Sequence, residues 1–417
     1  MSIAISEEQL ALRDSVTRWA AQRQVAATAR EALEAPGDGL PATWPELAAQ
    51  GWLSVHVPVE HGGGGAGVAE LAVVLEALAQ AGAPGPVLPT ALASALVAAA
   101  DCGDGPALLS RLVAGEAAAV AWGEGTVQAR VAVQPPAGAL GAGLVLGAGT
   151  AALLVVGAEV EGRTAWFAVD AGGFTAQAPG SLDGAHRVAR VALAASVPAT
   201  RLLAHVDDAL VRELAVTLAA AQAAGIAAWC QEAATEYAKV REQFGRPIGS
   251  FQAVKHACAN LLAKVEMARA AAWDAAHAAA DGAQRPLAAA AAGAVALDAA
   301  VDCAKTCIQL HGGIGYTWEH DAHLYLRHAL VLRQLLGPTS RYRAEAARGA
   351  LAGARRSLSL ELPAEAEALR EGVRAFLAEL EGLDADAQRR HIARHGYVQP
   401  HWPAPWGRWA SASSPSS

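Results

Sequence analysis

The residues best suited to chemistry gather in two short segments. The first is Tyr237-Ala-Lys-Val-Arg241-Glu-Gln243-Phe244-Gly245-Arg246-Pro247-Ile248, followed by Phe251-Gln252 and Lys255-His256. The second, some seventy residues on, is Gln309-Leu-His311-Gly312-Gly313-Ile-Gly315-Tyr316-Thr317. An arginine presents a planar fork of donors that matches phosphate oxygens. Paired glycines let backbone N–H groups approach a diphosphate where a Cβ would obstruct it. Each feature also has a plainer reading when taken singly. Arg241 could pair with Glu242 or Glu236 on the surface, and Gly312-Gly313 could simply stop a helix. Cys303 and Cys307, four apart with His311 one turn on, have a metal-ligand spacing. A buried stripe of small residues is the better reading, since only Lys305 supplies the positive charge a reactive thiolate needs. No metal site is expected. The Gly62–Gly67 run and Gly141-Ala-Gly143 lack a strand–loop–helix setting and read as turns. His186, His205 and His277 stand isolated in the sequence.

The elements that must position these segments follow from composition and pattern. The chain has 417 residues, 53% of them hydrophobic and 17% charged, enough for two or three packed subdomains. The apolar excess is mostly alanine, which favours closely packed helices. Its alanine runs are interrupted by Arg, Glu, Asp and Gly, so no membrane span is expected. A net charge of -8 gives no basic field for nucleic acid or anionic lipid. Five scattered cysteines and no basic-then-apolar leader point to a reducing cytoplasm. Apolar spacing predicts helices over 5–21, capped by Ser6, over 44–50 and over 68–81. From about residue 118 to 200, short Val- and Leu-rich runs (129–133, 144–146, 152–156, 164–169 and 187–193) predict a small antiparallel β-domain. From 206 to 350 about four long helices are expected, broken at Gly245-Arg246-Pro247, Arg285-Pro286 and His311-Gly312-Gly313. The fold class is α+β: an N-terminal helical domain (1–117), a middle β-domain (118–204) and a C-terminal four-helix bundle (205–352).

Residues 353–417 carry a partial repeat of the N-terminus. An offset of 357 places Glu8, Ala11, Leu12, Arg13 and Val16 on Glu365, Ala368, Leu369, Arg370 and Val373. An offset of 345 places Gly51, His56, Pro58 and Gly62 on Gly396, His401, Pro403 and Gly407. Two matches in the same order indicate the truncated start of a second copy, followed by a low-complexity tail expected to be disordered.

The two segments quoted at the outset resemble the signatures of acyl-CoA dehydrogenases. Arg327, the N-terminal run from Glu7 to Arg13 and Gly51-Trp52…Pro58…Gly62-Gly63 resemble further parts of that family. The likeness runs over about residues 3–350. It implies an acyl-CoA dehydrogenase fold that binds FAD through Arg241, Gln243, Phe244, Gln252, Gln309, Gly312 and Gly313, with contacts crossing a subunit interface. It also implies α,β-dehydrogenation of an acyl-CoA: a carboxylate removes the α-proton and flavin takes the β-hydrogen as hydride. Electrons would leave to electron-transferring flavoprotein.

The catalytic carboxylate departs from the pattern. The family's usual base lies where Leu336-Gly337-Pro338 stands here, and the earlier-helix position falls near Ala215, with Glu213 pointing elsewhere. The catalytic residue is therefore unknown. The family's flavin-packing β-segment is replaced by Ala121-Trp122-Gly123-Glu124-Gly125-Thr126. The chain thus resembles the first half of a fused tandem dehydrogenase of the bacterial sterol-degrading type, with a bulky acyl-CoA such as a steroid side-chain thioester as substrate. Two rival readings share the fold. One is a non-catalytic partner subunit, in a homo- or hetero-oligomer, completing the FAD pocket of a catalytic copy. The other is a flavin monooxygenase.

Overall fold

The computed structural model describes residues 5–34, 39–122, 129–130, 140–160, 163–193, 198–357 and 364–408. The chain divides into two compact units, Ile5–Arg356 and Ser357–Ser417.

The larger unit begins with six helices: α1 (Glu7–Gln22), α2 (Val25–Glu34), α3 (Trp44–Ala49), α4 (Val68–Gln80), α5 (Val87–Ala99) and α6 (Gly105–Val113). Ser6 caps α1 as expected, accepting from the Gln9 N–H while the Gln9 side chain accepts from the Ser6 N–H, a reciprocal pair that satisfies two orphan donors. α3 ends where Gly51 turns left-handed at φ 71°, a conformation that a Cβ would strain.

Seven strands follow: β1 (Ala118–Ala121), β2 (Ala129–Arg130), β3 (Leu140–Leu146), β4 (Leu153–Val160), β5 (Arg163–Asp170), β6 (Phe174–Gln177) and β7 (Val188–Leu193). One sheet centres on β4, flanked by β1, β2 and β5; the other runs β3-β7-β6. The expectation of a purely antiparallel domain is corrected, since β1 and β2 pair parallel to β4. The chain leaves the first sheet to build β3 before returning as β4, and such a crossover permits parallel pairing where a tight hairpin does not. β1 and β6 were not expected. β1 reads Ala-Ala-Val-Ala and is buried throughout, so it lacks the alternation that marks a half-exposed strand. Along β4, Leu153 and Val155 join the main core while Leu154 and Val156 fill a smaller core with Val145, Val191 and Leu193. The Gly141–Gly143 stretch is an irregular part of β3, a β-bulge site and not a turn. Positions 131–133, 123–126 and 411–417, for which a strand, a flavin-packing segment and a disordered tail were expected, lie outside the described residues.

The bundle comprises α7 (Asp208–Val240), α8 (Gln252–Ala278), α9 (Arg285–His311), α10 (Ala322–Leu336) and α11 (Thr339–Leu351), with the two-residue strands β8 (Glu242–Gln243) and β9 (Arg246–Pro247) between α7 and α8. A fifth helix appears because Gly337, at φ 85°, and Pro338 break the last expected one. α7 and α9 are long and apolar enough to cross a membrane, but 83% and 67% of their apolar windows are buried inside the fold. Gly225 lets α7 approach α4, for a Cβ there would lie 2.1 Å from the Glu76 carbonyl oxygen.

The smaller unit contains α12 (Ala364–Ala368), α13 (Arg370–Leu380) and α14 (Ala385–Arg394).

Candidate active site

Ring contacts and ion pairs set the direction of the bundle helices. Glu213 near the start of α7 pairs with Arg285 at the start of α9, Oε2 to Nε 2.8 Å. Tyr237 near the end of α7 stacks on His311 at the end of α9, ring centroids 4.4 Å apart. α7 and α9 therefore run parallel, and Arg241 and Gly312 sit at the same end of the bundle. The β8–β9 hairpin brings Gln252, the first residue of α8, to that end as well: the Ile248 N–H donates to the Arg241 carbonyl at 2.7 Å.

The hairpin turn is formed by Phe244 and Gly245 at φ 54° and 75°. Two positive φ values make the primed turn that matches strand twist, but Phe244 is a bulky residue there and is 92% exposed. Arg246 covers the Phe251 ring at 4.2 Å. The Gln243 side chain donates to the Glu242 carbonyl, and Gln252 meets His256 at 2.7 Å. Arg241 makes neither an ion pair nor a side-chain hydrogen bond among the described residues. The surface-pair reading is thereby excluded, since Glu236 is held by Lys239. Gln309 is exposed. Gly312 adopts φ 61°, ψ -133°, a glycine conformation, and a Cβ at Gly312 or Gly313 would meet nothing within 4 Å. An unpaired guanidinium and an open glycine turn at one bundle end are the donor chemistry a diphosphate requires.

Leu336 is the last residue of α10 and is 4% exposed. Its carbonyl accepts from the Tyr342 hydroxyl at 2.6 Å, and Thr339 donates to Asp298 at 2.6 Å. The segment is a packed helix end with no carboxylate of its own. Glu213, near the earlier-helix position of the base, is half of the partly buried ion pair with Arg285.

One group escaped the sequence analysis, and a second was read there only in part. Asp183, His186 and His328 form a buried cluster, although His186 looks isolated in the sequence. The Asp183 Oδ2 lies 3.0 Å from His186 Nδ1 and 3.2 Å from His328 Nδ1. Its Oδ1 accepts from the Ala185 and His186 N–H groups. His186 Nε2 donates to the Ala83 carbonyl at 3.0 Å, and His328 Nε2 meets the Gln222 side chain at 3.2 Å. Burial works to raise the Asp183 carboxyl, but the charge and hydrogen bonds of the two imidazoles outweigh it and hold the group well below the carboxylate range. Burial, aided by the charge of His186, pushes His328 down to about 4. The cluster joins the loop before β7 to α10, α7 and the connection between α4 and α5. That loop also walls a cleft of about 490 Å³ lined by Thr28, Glu31, Leu40, Pro86, Leu146 and Arg187 among others, a size suited to small organic ligands. None of the seven residues expected to bind cofactor lines it.

The second group surrounds Cys307. Cys303 and Cys307 are fully buried, yet Cys307 Sγ lies 3.6 Å from His311 Nδ1. A hydrogen bond from Cys230, with the charge of His311 behind it, pulls Cys307 down, whereas burial pushes Cys303 up to about 12. Cys230 is 77 positions before Cys307 in the chain, so no local spacing announces the contact.

Comparison with known proteins decides the family. Residues 6–104 match the acyl-CoA dehydrogenase N-terminal domain and residues 216–351 the acyl-CoA dehydrogenase C-terminal domain. The acyl-CoA dehydrogenase IpdE2 of Mycobacterium tuberculosis is 35% identical over 79% of this chain and 93% of its own length. The chain belongs to the acyl-CoA dehydrogenase family. The acyl-CoA dehydrogenase FadE34 of the same organism is 39% identical over 99% of this chain, which spans 57% of that relative's length. The solved structure of the Tcur3481-Tcur3483 steroid acyl-CoA dehydrogenase matches with a TM-score of 0.74 and 28% identity, covering 84% of this chain and 99% of that one. The family is FAD-dependent, and its fold is the one described above.

Proposed function

We propose that this chain holds FAD at the end of its bundle and serves the α,β-dehydrogenation of a bulky acyl-CoA, such as a steroid side-chain thioester. Arg241 would grip the diphosphate, Gly312 and Gly313 would admit it closely, and Gln243, Phe244, Gln252 and Gln309 would flank it. When bound, FAD would supply the acceptor for the β-hydrogen, and the α-proton would go to a carboxylate that Leu336 does not provide. The observation that carries the assignment is the unpaired Arg241 facing the same bundle end as the open Gly312 turn. The steroid substrate class draws its support from the Tcur3481-Tcur3483 likeness, and electron-transferring flavoprotein is the expected acceptor.

Leu336 favours a second reading, in which the chain is a non-catalytic half-site that completes the pocket of a glutamate-bearing copy. The smaller unit supports a tandem origin. α12 and α13 occupy the offset-357 equivalents of α1. Three backbone bonds also recur at offset 345: Gly51 to Ala48, Val57 to Ser54 and His61 to Pro58 reappear as Gly396 to Ala393, Trp402 to Gln399 and Trp406 to Pro403. The test is a visible spectrum of the purified chain followed by anaerobic addition of acyl-CoAs. Bleaching of bound flavin by substrate supports a self-sufficient dehydrogenase. A chain that turns yellow only with a glutamate-bearing family member supports the half-site, and a chain that binds no flavin in either setting overturns both.

A further inference from the structure

Among the described residues, two clusters bring carboxylate and imidazole ligand atoms within 4.8 Å of one another: Asp183 with His186 and His328, and Glu379 with His391 and His395. The first is closed to a metal ion. Imidazole nitrogens about 2.0–2.1 Å from a shared tetrahedral ion keep their ring centres about 5 Å apart, whereas the His186 and His328 centres are 3.6 Å apart. Both nitrogens of His186 also face acceptors, Asp183 and the Ala83 carbonyl, so this cluster is held together by protons.

The second cluster has a different construction. His391 and His395 stand four residues apart on α14, the spacing that sets two imidazoles on one helix face. His395 Nδ1 donates to the His391 carbonyl at 2.9 Å; that fixes its tautomer and leaves the Nε2 lone pair free, as a metal ligand requires. His391 Nε2 lies 2.9 Å from Glu379 Oε2 on α13. The two ring centres are 4.2 Å apart, also short of about 5 Å, so shared coordination requires His395, which is exposed, to swing outward. Phe376, 8% exposed, backs both rings, at 5.4 and 5.6 Å between centroids. At the repeat offsets the corresponding N-terminal residues are Gln22, Glu46 and Gln50, so this local fold does not itself call for histidine.

We propose that Glu379, His391 and His395 form a binding site for one divalent transition-metal cation of the Zn²⁺ class, clipping α13 to α14. Two imidazoles with one carboxylate suit zinc, nickel or copper and not magnesium or calcium. The site stands independently of the flavin reading. The test uses the full chain, treated with chelator and titrated with zinc chloride by calorimetry. One equivalent is expected to depend on this site. Glu379→Gln should weaken binding about tenfold or more, and the His391→Ala/His395→Ala double variant should abolish it with unchanged circular dichroism. If the double variant fails to fold, His395→Gln alone, a surface change, must show the loss. Cobalt(II) loaded in place of zinc should give visible d–d bands with no thiolate charge-transfer band. Zinc uptake unaltered in the variants, no uptake at all, or thiolate bands in the cobalt spectrum would overturn the proposal.

Discussion

Arg241 can be tested directly, because nothing in the fold needs its charge. Replacing it with alanine removes a charge-assisted fork worth about 1.5–3 kcal/mol, so flavin affinity should fall roughly ten- to a hundredfold. Lysine should not restore it, since a point charge does not reproduce the planar fork. The ratio of flavin to protein absorbance after gel filtration reads the outcome, and unchanged flavin content in Arg241→Ala would exclude the assignment. Buried histidines give a second, independent test. Burial lowers His56 from 6.5 to about 4, against the hydrogen bond with Ser94, and His328 falls to about 4 as well. In each case the unfolded chain takes up a proton that the folded chain refuses, so stability is complete above pH 6.5 and falls as pH drops from 6.5 towards 4. The slope per group is at most about 1.4 kcal/mol per pH unit. Denaturant unfolding at pH 7 and pH 5.5 should show this loss, and His56→Gln should make it shallower. Arg241, Gln252 and Gly312 came to attention because they lie in two short segments that resemble the family's signatures. Asp183 and His328 lie 145 residues apart, and no periodicity connects residues that meet only after three elements have packed.

At the level of elements, the turn at Phe244 and the close approach at Gly225 make opposite predictions. Phe244 holds a left-handed φ that costs a bulky residue about 1 kcal/mol or more. Asparagine tolerates that conformation, so Phe244→Asn should raise the melting temperature while lowering flavin retention. Stability and retention falling together would show that Phe244 is a packing residue and not a functional one. Gly225→Ala should cost about 3 kcal/mol or more, since its Cβ would press on rigid backbone of α4; a melting scan that shows no loss would mean the helices separate easily. Of the helices, α1, α3, α4 and the long bundle helices were legible from apolar spacing and glycine stops, whereas α2, α5 and α6 were not. The sheets were legible only in part. Parallel pairing of β1 with β4 depends on a crossover through the second sheet, and a strand buried on both faces carries no alternation to read.

At the scale of the whole molecule, the bundle end that carries Arg241 is unusually apolar for a surface. Val240, Tyr316 and Trp318 are 74, 90 and 64% exposed and neighbour in sequence the residues assigned to the cofactor, of which Phe244 is itself 92% exposed. Each square ångström of such surface removed from water contributes about 25 cal/mol, so covering this end with another chain and completing the cofactor site are one event in the proposed reading. Association and flavin binding should then rise and fall together. Tyr316→Ser combined with Trp318→Ser leaves Arg241 and Gly312 in place, and sedimentation should show a smaller species that also loses its yellow colour. Restoring flavin at high concentration should drive the variant back to the larger species, because a ligand held across an interface stabilises the assembly. A variant that sediments as a single chain yet keeps its flavin at low micromolar protein would break the link, leaving Arg241 and the Gly312 turn to hold the cofactor within one chain.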